Sequence, residues 1–145
     1  MTMAITIKSH EEIAILREGG KRLAEILDAI VAAARPGVST YDLDILGEHL
    51  MREAGGVPSF KGYKIKDARA SYPCSICVSI NNEVVHAIPG PYALTDGDII
   101  SIDCGVTLDG WVSDSARTIP VGDVSDTAHR LLDATRLSLA AGIAA

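Results

Sequence analysis

The sequence predicts an α+β fold, an antiparallel β-sheet with helices on one face. Three observations carry that expectation. Two long stretches near the N-terminus have helical periodicity, a run of short β-prone segments punctuated by turn signals follows, and a single helical stretch comes after them. Strands therefore do not alternate with helices as a parallel sheet requires. At 145 residues, 48% apolar and 22% charged, the chain suits one domain with a real core and argues against disorder.

The first helix is expected from Ser9 to about Arg35. Ser9 and Glu12 have the spacing of a capping box, and Ile13, Leu16, Leu23, Ile26, Leu27, Ile30 and Val31 recur at helical intervals. Gly19-Gly20 marks a weak point or a place of close packing, and Pro36-Gly37 ends the element. Ser39 or Thr40 caps a second helix carrying Leu43, Leu46, Leu50 and Met51, which stops at Gly55-Gly56.

A loop is expected over 57–71, with Lys61, Lys64, Lys66 and Arg69 as a solvated basic patch. Ser75 to Ile80 and Glu83 to Ile88 read as strands joined by a turn at Asn81-Asn82, and Pro89-Gly90-Pro91 breaks the pattern. Residues 98–121 read as one hairpin, with Ile99, Ile100, Ile102 and Val106 on the first arm and Trp111, Val112, Ile119 and Val121 on the second. Asp109-Gly110 supplies the type I′ turn. A third helix begins near Ser125, with Leu131, Leu132, Thr135 and Leu139 on one face.

That hairpin turn sets a register with chemical consequences. Asp103 falls opposite Ala116 and Asp114 opposite Gly105, so the two carboxylates share one face as diagonal neighbours, roughly 7–8 Å apart. A turn shifted by one residue puts them directly opposite. Two carboxylates among β-branched residues repel each other and lose hydration, so either one takes up a proton or a cation sits between them. The competing reading is two surface carboxylates beside a turn.

Net charge is −6 with a pI near 5.1, which offers no basic footprint for nucleic acid. Residues 1–9 lack a basic and then apolar signal pattern, and the apolar stretch 26–34 contains Asp28 and is too short to span a bilayer. A cytoplasmic location without membrane association is the default expectation. Cys74, Cys77 and Cys104 are odd in number, which argues against a disulfide framework. A strand through Cys74 and Cys77 would point them to opposite faces, against a zinc or redox C-x-x-C.

Residues 72–90, 97–105 and 110–118 together resemble the type I methionine aminopeptidases, and the segment Pro58-Ser59-Phe60-Lys61-Gly62-Tyr63 resembles that family's pocket segment. The resemblance implies half of a pita-bread (creatinase/aminopeptidase) fold and the removal of the initiator methionine from nascent proteins. It implies one or two divalent ions (cobalt, manganese, iron or zinc) held by two aspartates, a histidine and two glutamates. The aspartates carry over to Asp103 and Asp114. His86 matches the histidine that contacts the substrate near the scissile peptide, and Tyr63, Tyr72 and Cys77 match positions lining the methionine side-chain pocket. The implied partners are N-terminal methionine of peptides and nascent proteins, in proximity to the ribosome.

Two departures stand out: Ala87 follows the histidine where the family has glycine, and the segment 64–71 is longer than in the common bacterial form. The family's metal histidine and glutamates belong to a second half. His10, His49 and His129 lie in helical segments away from the hairpin and in no matching motif. The chain is therefore expected to be a single domain over 1–145, the N-terminal part of a catalytic domain truncated at its C-terminus, with little or no activity of its own. A non-catalytic binding module and a half-fold homo-oligomer are the alternatives.

Overall fold

The computed structural model describes residues 5–64, 66 and 69–145. Its elements are α1 (His10–Ala33), α2 (Thr40–Glu53), β1 (Val57–Pro58), β2 (Ile76–Ile80), β3 (Ile99–Leu108), β4 (Trp111–Pro120) and α3 (Asp126–Ala144). β3 is the axis of the sheet. β4 runs antiparallel along its whole length, while β2 and the two-residue β1 are both antiparallel partners of β3.

Both long helices start where side chains satisfy their first amides. The Ser9 hydroxyl accepts from the Glu12 amide, and the Glu12 carboxylate accepts from the Ser9 amide. Ser39 and Asp42 repeat the arrangement for α2, so the cap is Ser39. Gly55 takes φ +79 just past α2, a conformation that only glycine adopts cheaply.

The core forms between these helices and one face of the sheet. Leu23, Ile26, Leu27 and Ile30 of α1 and Leu43 and Met51 of α2 cover Ile76, Val78, Ile100, Ile102, Cys104 and Val106. Gly19 is a place of close packing: a Cβ there would lie 2.8 Å from the Ser113 hydroxyl of β4. Arg117 of β4 pairs with Asp28 of α1. On α2 the buried Asp44 accepts from the Ser75 and Ile76 amides at 2.7 and 3.0 Å, which fastens the start of β2. None of α3's residues is buried, and Leu131, Leu137, Leu139 and Ile143 are exposed.

Three expectations need correction. Glu83 to Ile88 is not a strand. The turn at Asn81-Asn82 forms, but the chain does not return alongside β2, and Val84 and Val85 both face solvent. His86 has φ +59, which breaks an extended run, and the segment reaches β2's backbone through the Val78 amide to the Ala87 carbonyl, 3.3 Å. The fourth strand is instead Val57–Pro58, inside the expected loop, where Gly56 lets the backbone approach Val106. Lys61, expected to be solvated, forms an ion pair with Glu48. Within the longer segment 64–71, positions 65, 67 and 68 lie outside the described residues.

Candidate metal centre and adjoining pocket

The hairpin has the register that its turn dictates. Asp109 and Gly110 have φ +50 and +81, as a type I′ turn requires, and Asp103 pairs with Ala116 while Gly105 pairs with Asp114. Side chains alternate across a sheet, so Asp103 and Asp114 project from the face opposite the core. That face is uncovered by α1 and α2. Across the hairpin each aspartate opposes a residue with almost no side chain, and the two carboxyl groups lie close enough to interact directly.

Cys77 lies directly across from Asp103 on β2 and shares this face. Burial raises the Asp103 carboxyl above the ordinary range, and the charge of Asp114 raises it further; His86 is near enough to oppose the shift. Burial also pushes up the Cys77 thiol, so it stays protonated, as do Cys74 (to about 11) and Cys104 (to about 12). All three cysteines are free, and Cys74 precedes β2 rather than belonging to it.

Beside the aspartates lies a concavity of about 750 Å³. All six residues singled out in the sequence line it: Asp103, Asp114, His86, Tyr63, Tyr72 and Cys77. They are not equally set. Tyr63 is 65% exposed, whereas Cys77 is buried at 4%. The Tyr72 hydroxyl lies 3.0 Å from both the Ile76 and the Ala87 carbonyls, and burial pushes its pKa well above the usual phenol range. Ala87 does not share His86's positive φ, so a Cβ in place of glycine causes no backbone strain.

Phe60, which the sequence placed in the pocket segment without giving it a role, is a wall residue. Its ring packs over Gly105, where a Cβ would meet it at 2.8 Å. The available signal was a glycine inside a strand, which often marks a close approach of another group. The chemistry of the donors suits a hard divalent cation, since paired carboxylate oxygens relieve their repulsion on binding one. They make only part of a coordination shell. Among the described residues, no group of three or more His, Cys, Asp or Glu side chains is arranged to hold a metal.

An open sheet face on which paired aspartates line one end of a largely apolar concavity agrees with the match of residues 14–145 to the metallopeptidase family M24, and the chain belongs to that family. Within it, the relatives are methionine aminopeptidases. The chain is 48% identical over 139 residues to methionine aminopeptidase 1 of Mycobacterium tuberculosis, covering 95% of this chain and 50% of that protein. It is 44% identical over 139 residues to the methionine aminopeptidase of Clostridium perfringens, covering 96% and 53%.

The crystal structure of methionine aminopeptidase from Rickettsia prowazekii superposes with a TM-score of 0.84 at 37% identity, over 90% of this chain and 50% of that one. A Xaa-Pro dipeptidase from Bacillus anthracis follows the same fold at a TM-score of 0.66 and 28% identity, over 86% and 32%. The expected α+β half of a pita-bread fold is borne out. The chain spans about half the length of the curated relatives it matches. Among the described residues, no helix is long and apolar enough to cross a membrane.

Proposed function

We propose that this chain is the N-terminal part, over 1–145, of a cytoplasmic methionine aminopeptidase that removes the initiator methionine from nascent proteins near the ribosome. The observation that carries the reading is the convergence of Asp103, Asp114, His86, Tyr63, Tyr72 and Cys77 on one concavity. Asp103 and Asp114 hold divalent ions, two in the complete site, drawn from cobalt, manganese, iron or zinc. The remaining histidine and glutamate ligands come from a second half, and the coverage of the relatives, near half, supports that division.

Divalent ions supply Lewis acidity toward the scissile carbonyl and the attacking water. The chain's own residues bind and orient. Tyr63, Tyr72 and Cys77 give the methionine thioether an apolar, polarisable wall. His86 donates a hydrogen bond at the scissile peptide and stabilises charge that develops there.

Two measurements test this. Alone, the chain releases no methionine from Met-Ala-Ser with manganese or cobalt above the metal-only rate; clear turnover would contradict the division of ligands. Fused to the second half of one of the relatives above, it releases methionine. In that fusion His86→Ala lowers kcat by about 100-fold or more. Retention of full activity in His86→Ala or in Asp103→Ala would remove the assignment.

A further inference from the structure

The strained residue of the site is His86, at φ +59, where a side chain other than glycine is disfavoured. Such a conformation persists only if neighbouring bonds hold it. On the N-terminal side such bonds stop at Glu83, whose amide and carboxylate bond the Ile80 carbonyl and amide at 2.9 and 2.8 Å; Val84 and Val85 are 86% and 64% exposed and make no backbone hydrogen bond among the described residues. On the C-terminal side they converge on one residue. The Ala87 carbonyl accepts from the Val78 amide at 3.3 Å and faces the Tyr72 hydroxyl at 3.0 Å. The Ala87 amide donates to the Ser79 hydroxyl at 3.3 Å. One turn further on, Gly90 is fastened to Thr40 at the start of α2.

Tyr72 is itself anchored. Its amide donates to the Tyr63 carbonyl and its carbonyl accepts from the Gly62 amide, both at 2.8 Å. Its hydroxyl proton is shared between the Ile76 and Ala87 carbonyls, so the phenol bridges β2 and the residue after His86. Ser79, 3% exposed, projects from β2 on the same face as Cys77 and holds the other backbone group of Ala87.

We propose that Tyr72 and Ser79 are positioning residues: through hydrogen bonds to the carbonyl and amide of Ala87 they hold His86 in its left-handed conformation, aimed into the aspartate pocket. This rests on the proposed role of His86 and goes beyond Tyr72 as a pocket wall. The wall needs only the ring, whereas the clamp needs the hydroxyl. Tyr72 also bonds the backbone of Gly62 and Tyr63, so one residue ties the pocket wall to the loop that carries the histidine.

The test removes single oxygen atoms. In NMR spectra of the metal-free 145-residue chain, His86 at positive φ gives a strong intraresidue amide-to-Hα NOE. Wild type is expected to show it, and a weak NOE there overturns the clamp at once. Tyr72→Phe and Ser79→Ala are each expected to weaken it, while Ser79→Thr, which keeps the hydroxyl, restores it. Tyr63→Phe, in the same pocket, leaves it unchanged. A strong NOE persisting in Tyr72→Phe and Ser79→Ala overturns the proposal. If either variant fails to fold, the other and the Ser79→Thr comparison still decide.

In the active fusion, Tyr72→Phe lowers kcat by about ten- to a hundredfold with KM retained. A raised KM at constant kcat assigns Tyr72 to the wall alone and overturns the clamp. Loss of the NOE with kcat unchanged keeps the clamp and removes His86's catalytic role, so the two readings fail separately.

Discussion

Asp103 faces Cys77 on one flank and Ala116 on the other, so neither neighbouring strand gives its carboxylate a cationic partner. Its carboxyl is raised by burial first and by Asp114's charge second, from an ordinary value of 3.8. A carboxyl raised in the folded state favours folding fully below the unfolded value, and that advantage is lost as pH rises through the folded value. Asp103→Asn is therefore expected to raise the melting temperature of the cation-free chain at about pH 7 and to change it little at about pH 3. Manganese narrows or reverses the difference by stabilising the wild type alone. A variant that melts lower than wild type without cation would contradict the electrostatic reading. At this scale the aspartates were legible, because the turn residues Asp109-Gly110 set their register. The Tyr72 clamp was not, since a hydroxyl's acceptor 15 residues away has no signature in local spacing.

The β3–β4 hairpin is the element that builds the site, and Gly105 is its tightest point. A Cβ there would lie 2.8 Å from Phe60 Cε1 and 3.3 Å from Ser59 Cβ, so this part of the pocket wall must shift. Gly105→Ala is expected to cost about 1–3 kcal/mol in urea denaturation. An unchanged midpoint would mean that Phe60 moves aside freely. The helices were readable because their caps and apolar stripes are local signals. The segment 83–88 misled for a related reason: Val84, Val85 and Ile88 are β-prone, yet propensity cannot report whether a free sheet edge and a buried face exist for them. The left-handed His86 denies them both.

Across the described residues, α1 and α2 cover one face of the sheet and leave the face that carries Asp103 and Asp114 open. Polar ties hold this arrangement at its margins. Glu48 of α2 accepts from Lys61, Arg52 and Ser75, and its carboxyl is held down to about 2, chiefly by the Lys61 hydrogen bond. A carboxyl lowered in the folded state stabilises fully above its unfolded value of 4.5, and the contribution is lost as pH falls from there toward about 2. Glu48→Gln should lower stability at neutral pH by up to about 1 kcal/mol, given the partial exposure of Lys61. The two curves should converge near the acid end of that window. Parallel acid limbs for variant and wild type would assign the acid sensitivity elsewhere.

By itself the sequence determined what neighbours along the chain can set: the capped helices, the type I′ turn, and through it the shared face of Asp103 and Asp114. The tertiary structure decided what depends on residues far apart. Packing of α1 and α2 against one side of β3 chose which face stays open. The path of residues 81–90 across β2 brought His86 beside aspartates from another element. Long-range hydrogen bonds then fixed a backbone conformation that no local preference favours.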